Sequence, residues 1–427
     1  SREFRSSVKF PRFAYAPSGR IRPGGHSGIG DVMIDDLPTG FKAGTAAANF
    51  KKAGRDDLGL IVSDRPCVLA GMFTQNLFKA APVLVCQEIL NTRGTARAVL
   101  ANSGQANACT GEEGLDNCRT TQEMAAEATG LEAQEILPIS TGVVGAHLKM
   151  DLWRKAVPAL AQSLGSRDAE GFTRAFMTTD AFPKFAMREV TLSGGTVRLT
   201  VMAKGAGMIC PNMATMLCVA LTDAAVEREP WQAMFGRAVD KTFNRVSVDG
   251  DTSTNDTILG LANGASGVAA RDEADLALLE EALTAILGTV SHMLVMDGEG
   301  ASKVIHISVR GARNDADAEL VARSVGHSQL VKTAIYGGDA NWGRIVTAVG
   351  YSGASFDPAK VGLRLCGVER FRLGRPVNDD QEGTLAELLK ARDIAVDINL
   401  GDGPGSYTFQ ASDLGHEYVT LNSDYRS

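Results

Sequence analysis

Long uninterrupted apolar runs are missing from this 427-residue sequence. A membrane-spanning helix needs roughly 18 to 20 consecutive apolar residues, and no stretch reaches that length. The most apolar region, 208–226, is interrupted by Pro211, Asn212 and Asp223. The basic N-terminal stretch, which is rich in Gly, Pro and Ser, also lacks the apolar core of a secretory signal peptide. We therefore predict neither membrane insertion nor secretion.

The N-terminal segment, residues 1–30, contains several Arg residues and few acidic ones. This composition suits a disordered arm or a cloning remnant, and it also suits an organellar transit peptide. We leave the segment out of the fold prediction. The expected location is cytoplasmic, or organellar if the arm is a transit peptide.

Closely spaced cysteines are also missing. The seven cysteines are odd in number, scattered along the chain and without a C-x-x-C pair. Disulfide frameworks and cysteine-based metal sites show recognisable spacings. The pattern therefore predicts free, mostly buried thiols in a reducing compartment.

Several ligand-binding signatures are absent as well. The sequence has no G-x-x-x-x-G-K-[ST] phosphate loop, and its six histidines show no H-E-x-x-H or other paired spacing. The net charge of −7 argues against a broad nucleic-acid surface, because such surfaces depend on clustered Lys and Arg. We predict no cofactor, no metal site and no nucleic-acid partner.

Strand and helix patterns alternate along the chain and indicate a mixed α and β fold. Two strands separated by a turn are predicted over 58–74. Hairpins with glycine turns are predicted over 187–205, with the turn at Gly194-Gly195, and over 394–412. Helices are predicted from 3.6-residue apolar spacing and from end signals, at 112–130, 150–164, 229–246, 272–294 and 315–335.

Short polar and glycine-rich motifs follow several of these elements. KGAGMICPNMATML (204–217) runs from a Gly-rich turn into an apolar strand, with Thr215 near its end. STGVVG (140–145) ends a strand in small residues, and DGEGAS (297–302) follows a long helix. Taken singly, these motifs are typical of tight turns and solvated helix ends. STGVVG would also suit a site where N–H groups and a Thr hydroxyl stabilise an oxyanion.

Taken together, the motifs resemble one family, the ornithine acetyltransferases of arginine biosynthesis. KGAGMICPNMATML is similar to the family's signature around its self-cleavage site. Six further blocks match in the same order over about residues 40 to 427: STGVVG, MTTDAFPK, SVDGDTSTNDT, DGEGASK, TAIYGGDANWGRIVTAVGYSG and LNSDYRS. The resemblance implies an N-terminal-nucleophile-like fold of layered sheets flanked by helices, which self-cleaving aminopeptidases share.

The resemblance implies that the chain cleaves its own Ala214–Thr215 bond. The products are an α chain of residues 31–214 and a β chain of residues 215–427, assembled as an α2β2 heterotetramer. As an N-terminal residue, Thr215 carries an α-amine with a reference pKa of about 7.7 to 8.0. Such an amine is a suitable general base for the Thr215 hydroxyl, which has no base beside it in an intact chain.

The implied reaction moves acetyl from N²-acetylornithine to glutamate through an acetyl-Thr215 ester, and it releases ornithine and N-acetylglutamate. This ping-pong scheme requires no cofactor. By the family match, the Thr141 hydroxyl and the Gly142 N–H stabilise the oxyanion of each tetrahedral intermediate. The residues leave open whether acetyl-CoA serves as a second acetyl donor.

The substrate contacts implied by the resemblance lie far apart in the sequence. Lys204 is the natural partner of the substrate α-carboxylate, and Glu299 is the natural partner of the ornithine ammonium. Thr179 is an alternative to Thr178, because the match there is uncertain by one residue. Family chains usually end in Thr, and the Ser at the end of this chain keeps the hydroxyl. The full set is Thr178, Lys204, Thr215, Glu299, Asn422 and Ser427.

Two other readings belong to different functional classes. A self-processing aminopeptidase or amidohydrolase of the same fold would release the acyl group to water. A binding protein would leave the 204–217 segment uncleaved. The acetyltransferase blocks favour transfer over both.

Overall fold

The computed structural model describes residues 14–15, 21–22, 37–51, 53–210, 216–377 and 381–424. Most of the predicted N-terminal arm lies outside the described residues, apart from the short antiparallel pair β1 (Ala14–Tyr15) and β2 (Ile21–Arg22). The rest is a mixed α and β structure with two large sheets. Both sheets are flanked by helices, which confirms the predicted layered class.

Sheet one has eight strands in the order β6-β5-β4-β11-β9-β8-β7, and β3 pairs with β4. Its strands are β3 (Phe41–Ala46), β4 (Leu58–Phe73), β5 (Thr95–Asn102), β6 (Ile136–Ser140), β7 (Lys184–Leu192), β8 (Gly195–Lys204), β9 (Leu217–Thr222) and β11 (Thr257–Ala262). β9 and β11 are parallel, and all of their residues are buried. Central strands covered on both faces read as continuous apolar runs, which explains LCVALT and TILGLA.

Two helical layers cover sheet one. Leu217, Val219 and Leu221 of β9 face one apolar core, whereas Cys218 and Ala220 face the other. This alternation follows from the two-residue period of a strand. Helices α1 (Ala81–Thr92) and α4 (Ala169–Ala175) contribute to the first core, and α5 (Arg228–Lys241) and α6 (Glu273–Met296) form the second. Helices α2 (Gly111–Thr129) and α3 (Met150–Gln162) cover the β4–β5–β6 end.

Sheet two has the order β10-β17-β12-β16-β13-β14-β15. Its strands are β10 (Val246–Ser247), β12 (Val304–Ala312), β13 (Gly362–Leu365), β14 (Val368–Arg372), β15 (Arg375–Pro376), β16 (Asp393–Asn399) and β17 (Gly405–Ser412). The helices after β12 share its core, namely α7 (Asp315–His327), α8 (Gln329–Tyr336), α9 (Trp342–Gly350) and α10 (Glu382–Leu388). A last helix, α11 (His416–Asp424), follows β17.

Three local predictions were wrong. The two strands expected over 58–74 are one 16-residue strand, β4, in which a register shift against β5 absorbs the expected turn. The hairpin expected over 394–412 does not form, because β12 lies between β16 and β17 and pairs with both. The single helix expected over 315–335 is two helices, since Ser328 caps α8 by accepting a hydrogen bond from the Val331 N–H.

Other predictions hold closely. α2 ends at Gly130, which has φ of +72° as a left-handed helix end requires. In the β7–β8 hairpin Leu192 pairs with Gly195, so the turn falls at Ser193-Gly194, one residue earlier than expected. All seven cysteines are free thiols, and five of them are buried.

Helix α6 is the one described helix with the length and hydropathy of a bilayer span. However, 61% of its most apolar window is buried inside the protein. Leu279, Leu283 and Leu287 lie in the core against sheet one. The apolar character of α6 is therefore explained by its position as a core helix.

Candidate functional site

A pocket opens where β6 ends, β8 ends, and β9 and β11 begin. Predicted residues Thr141, Gly142 and Lys204 all line it, together with Met216. These residues are up to 75 positions apart in the sequence. Strand β9 pairs with both β8 and β11, and this pairing brings the end of β8 next to the starts of β9 and β11. The remaining lining residues are Ala106, Val144, Gly207, Met208, Leu217, Ser253, Asn255 and Asp256.

Lys204 and Thr141 are in direct contact. The Lys204 ammonium donates a hydrogen bond to Thr141 Oγ1 over 3.2 Å, and Lys204 is only 8% exposed. Because this Thr oxygen accepts from lysine, its own O–H remains able to donate elsewhere. Burial lowers the pKa of Lys204, and the nearby Asp180 carboxylate partly offsets that effect.

Gly142 is held in a conformation that favours glycine. Its φ is +140°, and an added Cβ would lie 2.3 Å from the carbonyl carbon of Gly104. A side chain here would therefore collide with rigid backbone as well as strain φ. Among the residues that the structure describes, none accepts a hydrogen bond from the Gly142 N–H. That N–H is available for a ligand in the pocket.

A buried network of charged residues lies next to Lys204 and consists of Asp180, Lys184 and Asp297. Lys184 binds the Asp180 carboxylate over 2.7 Å and the Asp297 carboxylate over 2.5 Å, and the side chains of Lys184 and Asp180 are fully buried. Asp180 also accepts a hydrogen bond from the Gly205 N–H over 2.6 Å. Burial alone would raise the pKa of Asp180, but Lys184 and Lys204 outweigh it and hold that pKa below its ordinary value.

Thr178 belongs to the edge of this network. Its backbone N–H donates to Asp180 over 3.0 Å. Neither Thr178 nor Thr179 is among the pocket-lining residues. Thr178 is thus connected to Lys204 through Asp180, and the choice between the two threonines stays a prediction.

Glu299 lies beside the pocket, with its carboxyl group close to the pocket-lining residue Gly207. A Cβ on Gly207, which lines the pocket, would lie 2.6 Å from the Glu299 carboxyl group. The Glu299 N–H is fixed by a 2.8 Å hydrogen bond to the Ala206 carbonyl. The close approach of this carboxylate to the 204–207 turn explains why a glycine stands at position 207.

Asn422 meets Glu299 from the end of the chain. It lies on α11 and donates from Nδ2 to Glu299 Oε2 over 2.8 Å. Helix α11 is held by Tyr418, whose hydroxyl donates to Asp249 over 3.3 Å. Val419 and Leu421 are 65% and 37% exposed, so apolar burial contributes little to this docking.

Asp249 binds the backbone at residues 208–209, shortly before the predicted cleavage site. Its carboxylate accepts hydrogen bonds from the N–H groups of Met208 and Ile209, over 2.7 and 2.9 Å. Met208 has φ of +52°, an uncommon conformation for a residue with a side chain. A half-buried carboxylate therefore fixes a strained backbone shortly before residue 214.

Asn255 and Asp256 were missed by the sequence analysis although they lie in the quoted block SVDGDTSTNDT. Asn255 Nδ2 donates to the carbonyls of Ala106 and Ser140, over 2.6 and 2.9 Å, and so holds the strand end that presents Thr141. Asp256 is 1% exposed. Burial raises its pKa well above the ordinary range, although Lys204 opposes the shift.

The predicted site residues fall into three groups. The structure brings Thr141, Gly142 and Lys204 together in the pocket and places Glu299 and Asn422 beside it. Thr178 is attached through hydrogen bonds. The predicted nucleophile and the other remaining positions lie outside the described residues, namely Ala214, Thr215 and Ser427.

One group of possible metal ligands converges within the described part of the chain. It consists of His292, His306 and Asp393, and none of the three lines the pocket. The pocket itself offers carboxylate, ammonium, hydroxyl and backbone N–H groups. These groups suit an acyl substrate that carries both a carboxylate and an ammonium.

Comparison with known proteins gives a consistent result. The model of the ArgJ family matches residues 42–427. The arginine biosynthesis bifunctional protein ArgJ of Nitratidesulfovibrio vulgaris is 62% identical over 390 residues, which cover 91% of this chain and 99% of that protein. The protein of the same name from Geobacter sulfurreducens is 45% identical over 390 residues, with the same two coverages.

Solved structures carrying that name are also similar. The crystal structure of the arginine biosynthesis bifunctional protein ArgJ from Bacillus halodurans is 36% identical, covers 48% of this chain and 96% of that chain, and has a TM-score of 0.46. The range matched by the family model contains every motif discussed above, from STGVVG to the C-terminus.

Proposed function

The chain belongs to the ArgJ family, and from this premise we propose that it is a glutamate N-acetyltransferase of arginine biosynthesis. It transfers acetyl from N²-acetylornithine to glutamate. The relatives are named bifunctional, and the second activity proposed here is acetylation of glutamate by acetyl-CoA. The same premise supports an α2β2 assembly and a cytoplasmic location.

The observation that carries the proposal is the meeting of Thr141, Gly142 and Lys204 with Met216 in one pocket. Met216 is bonded to Thr215, the proposed nucleophile. A nucleophile, two oxyanion donors and a carboxylate-binding cation are the groups that acyl transfer between amino acids requires.

The proposed chemistry begins with cleavage of the Ala214–Thr215 bond. The freed α-amine of Thr215 takes the hydroxyl proton as Oγ attacks the acetyl carbonyl of N²-acetylornithine. Collapse of the tetrahedral intermediate breaks the amide C–N bond, and the proton passes to ornithine as it leaves. Glutamate then attacks the acetyl ester with its amine, and the reverse proton transfers regenerate the Thr215 hydroxyl.

The oxyanion of both intermediates is stabilised by the Thr141 hydroxyl and the Gly142 N–H in this scheme. Lys204 donates to Thr141 Oγ1, so its positive charge polarises the donating O–H. The Gly142 N–H has no hydrogen-bond acceptor among the described residues and can donate to the oxyanion. Fixed donors of this kind stabilise developing charge without reorganisation.

Substrate selection is assigned to the two ends of the pocket. Lys204 binds the α-carboxylate, which both substrates share, because a buried ammonium backed by Asp180 is a strong partner for an anion. Glu299, oriented by Asn422, binds the side-chain ammonium that ornithine has and glutamate lacks. Thr178, with Thr179 as the alternative, completes the proposed set from the Asp180 side.

The experiment measures ornithine release from N²-acetylornithine with and without glutamate. Transfer predicts release that rises steeply with glutamate and an equal amount of N-acetylglutamate. Glutamate-independent release would instead identify a hydrolase, and no release would identify a binding protein. A parallel assay of CoA release from acetyl-CoA with glutamate tests the second activity separately.

A further inference from the structure

Two histidines and one aspartate from three different elements converge away from the pocket. His292 lies on α6, His306 on β12, and Asp393 begins β16. His306 Nε2 is 2.7 Å and His292 Nε2 is 3.8 Å from the same oxygen, Asp393 Oδ1. One ligand atom from each residue lies within 4.8 Å of the other two.

These separations suit a small divalent cation. Zinc ligands at about 2.0 to 2.1 Å in tetrahedral geometry lie roughly 3.3 Å from each other. The measured 2.7 and 3.8 Å separations bracket that value. Asp393 is 59% exposed whereas the histidine side chains are 10% and 14% exposed. The carboxylate can therefore adjust to a cation while the imidazoles stay fixed.

The surroundings of His292 match those of a metal-binding histidine. Its other ring nitrogen, Nδ1, is 2.9 Å from Gln410 Oε1. Donation from Nδ1 to the Gln410 carbonyl oxygen leaves the Nε2 lone pair directed toward the Asp393 carboxylate. Metal-binding histidines usually have such an acceptor behind them, because it fixes the tautomer and the ring orientation.

The two imidazoles are also arranged side by side by the fold. Their ring centroids are 5.5 Å apart, and the rings are inclined by 28°. In sheet two, His306 lies opposite Gln410 on β17, and Val304, two residues earlier on the same strand, pairs with Asp393 on β16. Strand register thus sets the positions of His306, Gln410 and Asp393. The packing of α6 sets the position of His292.

We propose that His292, His306 and Asp393 form a zinc site that joins α6 to sheet two. A water molecule would complete four-coordination, since the chain supplies three ligands. His292 lies about one turn before Met296, where α6 ends, and Glu299 follows shortly after that end. Arg392, beside the site, donates to the Met296 carbonyl at the end of α6 over 2.9 Å. Bound zinc would therefore fix the helix end that precedes Glu299, which lies beside the pocket.

The test uses the full chain with Cys109→Ser throughout, because the exposed Cys109 thiol would be a competing metal ligand. After treatment with a chelator, zinc uptake is measured by equilibrium dialysis and elemental analysis. Cobalt binding is followed by visible absorption. The ligand variants are His306→Gln and Asp393→Asn. His147→Gln is the matched control, since exposed His147 faces Glu113 at 3.5 Å and no third ligand joins them among the described residues.

The expected result is one zinc per chain at micromolar free zinc and a tetrahedral cobalt spectrum. Affinity should fall at least 100-fold in both ligand variants, about 10- to 100-fold in Gln410→Met, and remain unchanged in His147→Gln. Zinc should raise the Tm of the parent but not of the ligand variants. Substoichiometric uptake by the parent would overturn the proposal and leave the cluster as an ion pair. Equal affinity in parent and ligand variants would overturn it as well.

Discussion

Thr141 shows how much depends on a single side chain. Its hydroxyl accepts a hydrogen bond from Lys204, and the residue lines the pocket. In the proposed mechanism this hydroxyl donates its strongest hydrogen bond when the oxyanion forms. A residue of this kind stabilises the transition state more than the bound substrate. Its loss should therefore be visible in kcat.

The first prediction follows from this difference. Thr141→Ala should lower kcat for acetyl transfer by about 100- to 1000-fold, the usual effect of removing one oxyanion donor, with a much smaller change in KM. Thr141→Ser keeps the hydroxyl and should recover most of the rate. Steady-state kinetics with both substrates measures the effect. A loss confined to KM would show that Thr141 only holds substrate.

Lys332 is a second residue whose environment gives a measurable consequence. It is 3% exposed, and its ammonium donates to the Val248 carbonyl and, over 3.3 Å, to Ser412 Oγ. Burial lowers its pKa from 10.5 to about 8, although Asp249 and Asp413 oppose the shift. The unfolded chain therefore binds more protons than the folded chain between these two pH values.

The second prediction concerns this pH window. Since a lowered lysine pKa favours folding as protons are lost, the free energy of unfolding contributed by Lys332 should rise from about pH 8 to pH 10.5. The total change is on the order of 3 kcal/mol. Denaturant unfolding of the wild type and of Lys332→Met is measured across this range. The difference between their free energies of unfolding isolates the contribution of Lys332, because the contributions of the other titrating groups cancel. Parallel stability curves for the two proteins would contradict the prediction.

At the scale of elements, α11 decides whether the C-terminus takes part in the site. A polar chain end usually frays, but here residues 416–424 form a helix. Tyr418 bonds to Asp249 and Asn422 bonds to Glu299. Helix α11 therefore connects the carboxylate that holds the 208–209 backbone to the carboxylate proposed to recognise ornithine.

The third prediction separates these two connections. Removal of residues 422–427 should leave self-cleavage intact, because Tyr418 and Asp249 remain. It should raise KM for N²-acetylornithine about tenfold, as expected for the loss of a hydrogen bond to a charged group, and lower turnover. Asn422→Ala should reproduce part of the effect, and exposed Ser423→Ala should not. Normal transfer kinetics in the truncated protein would show that α11 is dispensable.

At the scale of the whole molecule, the predicted α and β chains share one sheet. β8 precedes the proposed cleavage site and pairs with β9, which follows it. β4 and β11 form a second such pair. All four strands contribute to the same apolar cores. Cleavage would therefore leave two chains that cannot separate without unfolding sheet one.

The fourth prediction is a test of this arrangement. The purified protein should give two bands, each roughly half the full length, on a denaturing gel, and the second chain should begin at Thr215. Both chains should elute together under native conditions at a mass that corresponds to α2β2. Thr215→Ala should remain one full-length band and inactive. An uncleaved wild-type protein with full activity would refute the self-processing proposal.

The sequence by itself determined the family and most of the individual elements. Membership of the ArgJ family, predicted from motif order, is confirmed. Helices such as α2 and α6 were predictable because amphipathic spacing and end signals are local properties. The STGVVG turn already suggested an oxyanion site at Thr141, whereas the pocket position of Lys204 was accessible only through the family resemblance, since Lys204 carries no distinctive local signal.

Tertiary structure alone decided which elements became neighbours. Nothing between β16 and β17 indicates that β12, about 90 residues earlier, would enter between them. The same holds for Lys184 between Asp180 and Asp297, and for His292 beside His306 and Asp393. Sequence spacing records contacts within a helix or a hairpin, whereas burial in a shared core selects partners from distant segments. For that reason the charge network and the histidine cluster appear only when both sheets are assembled.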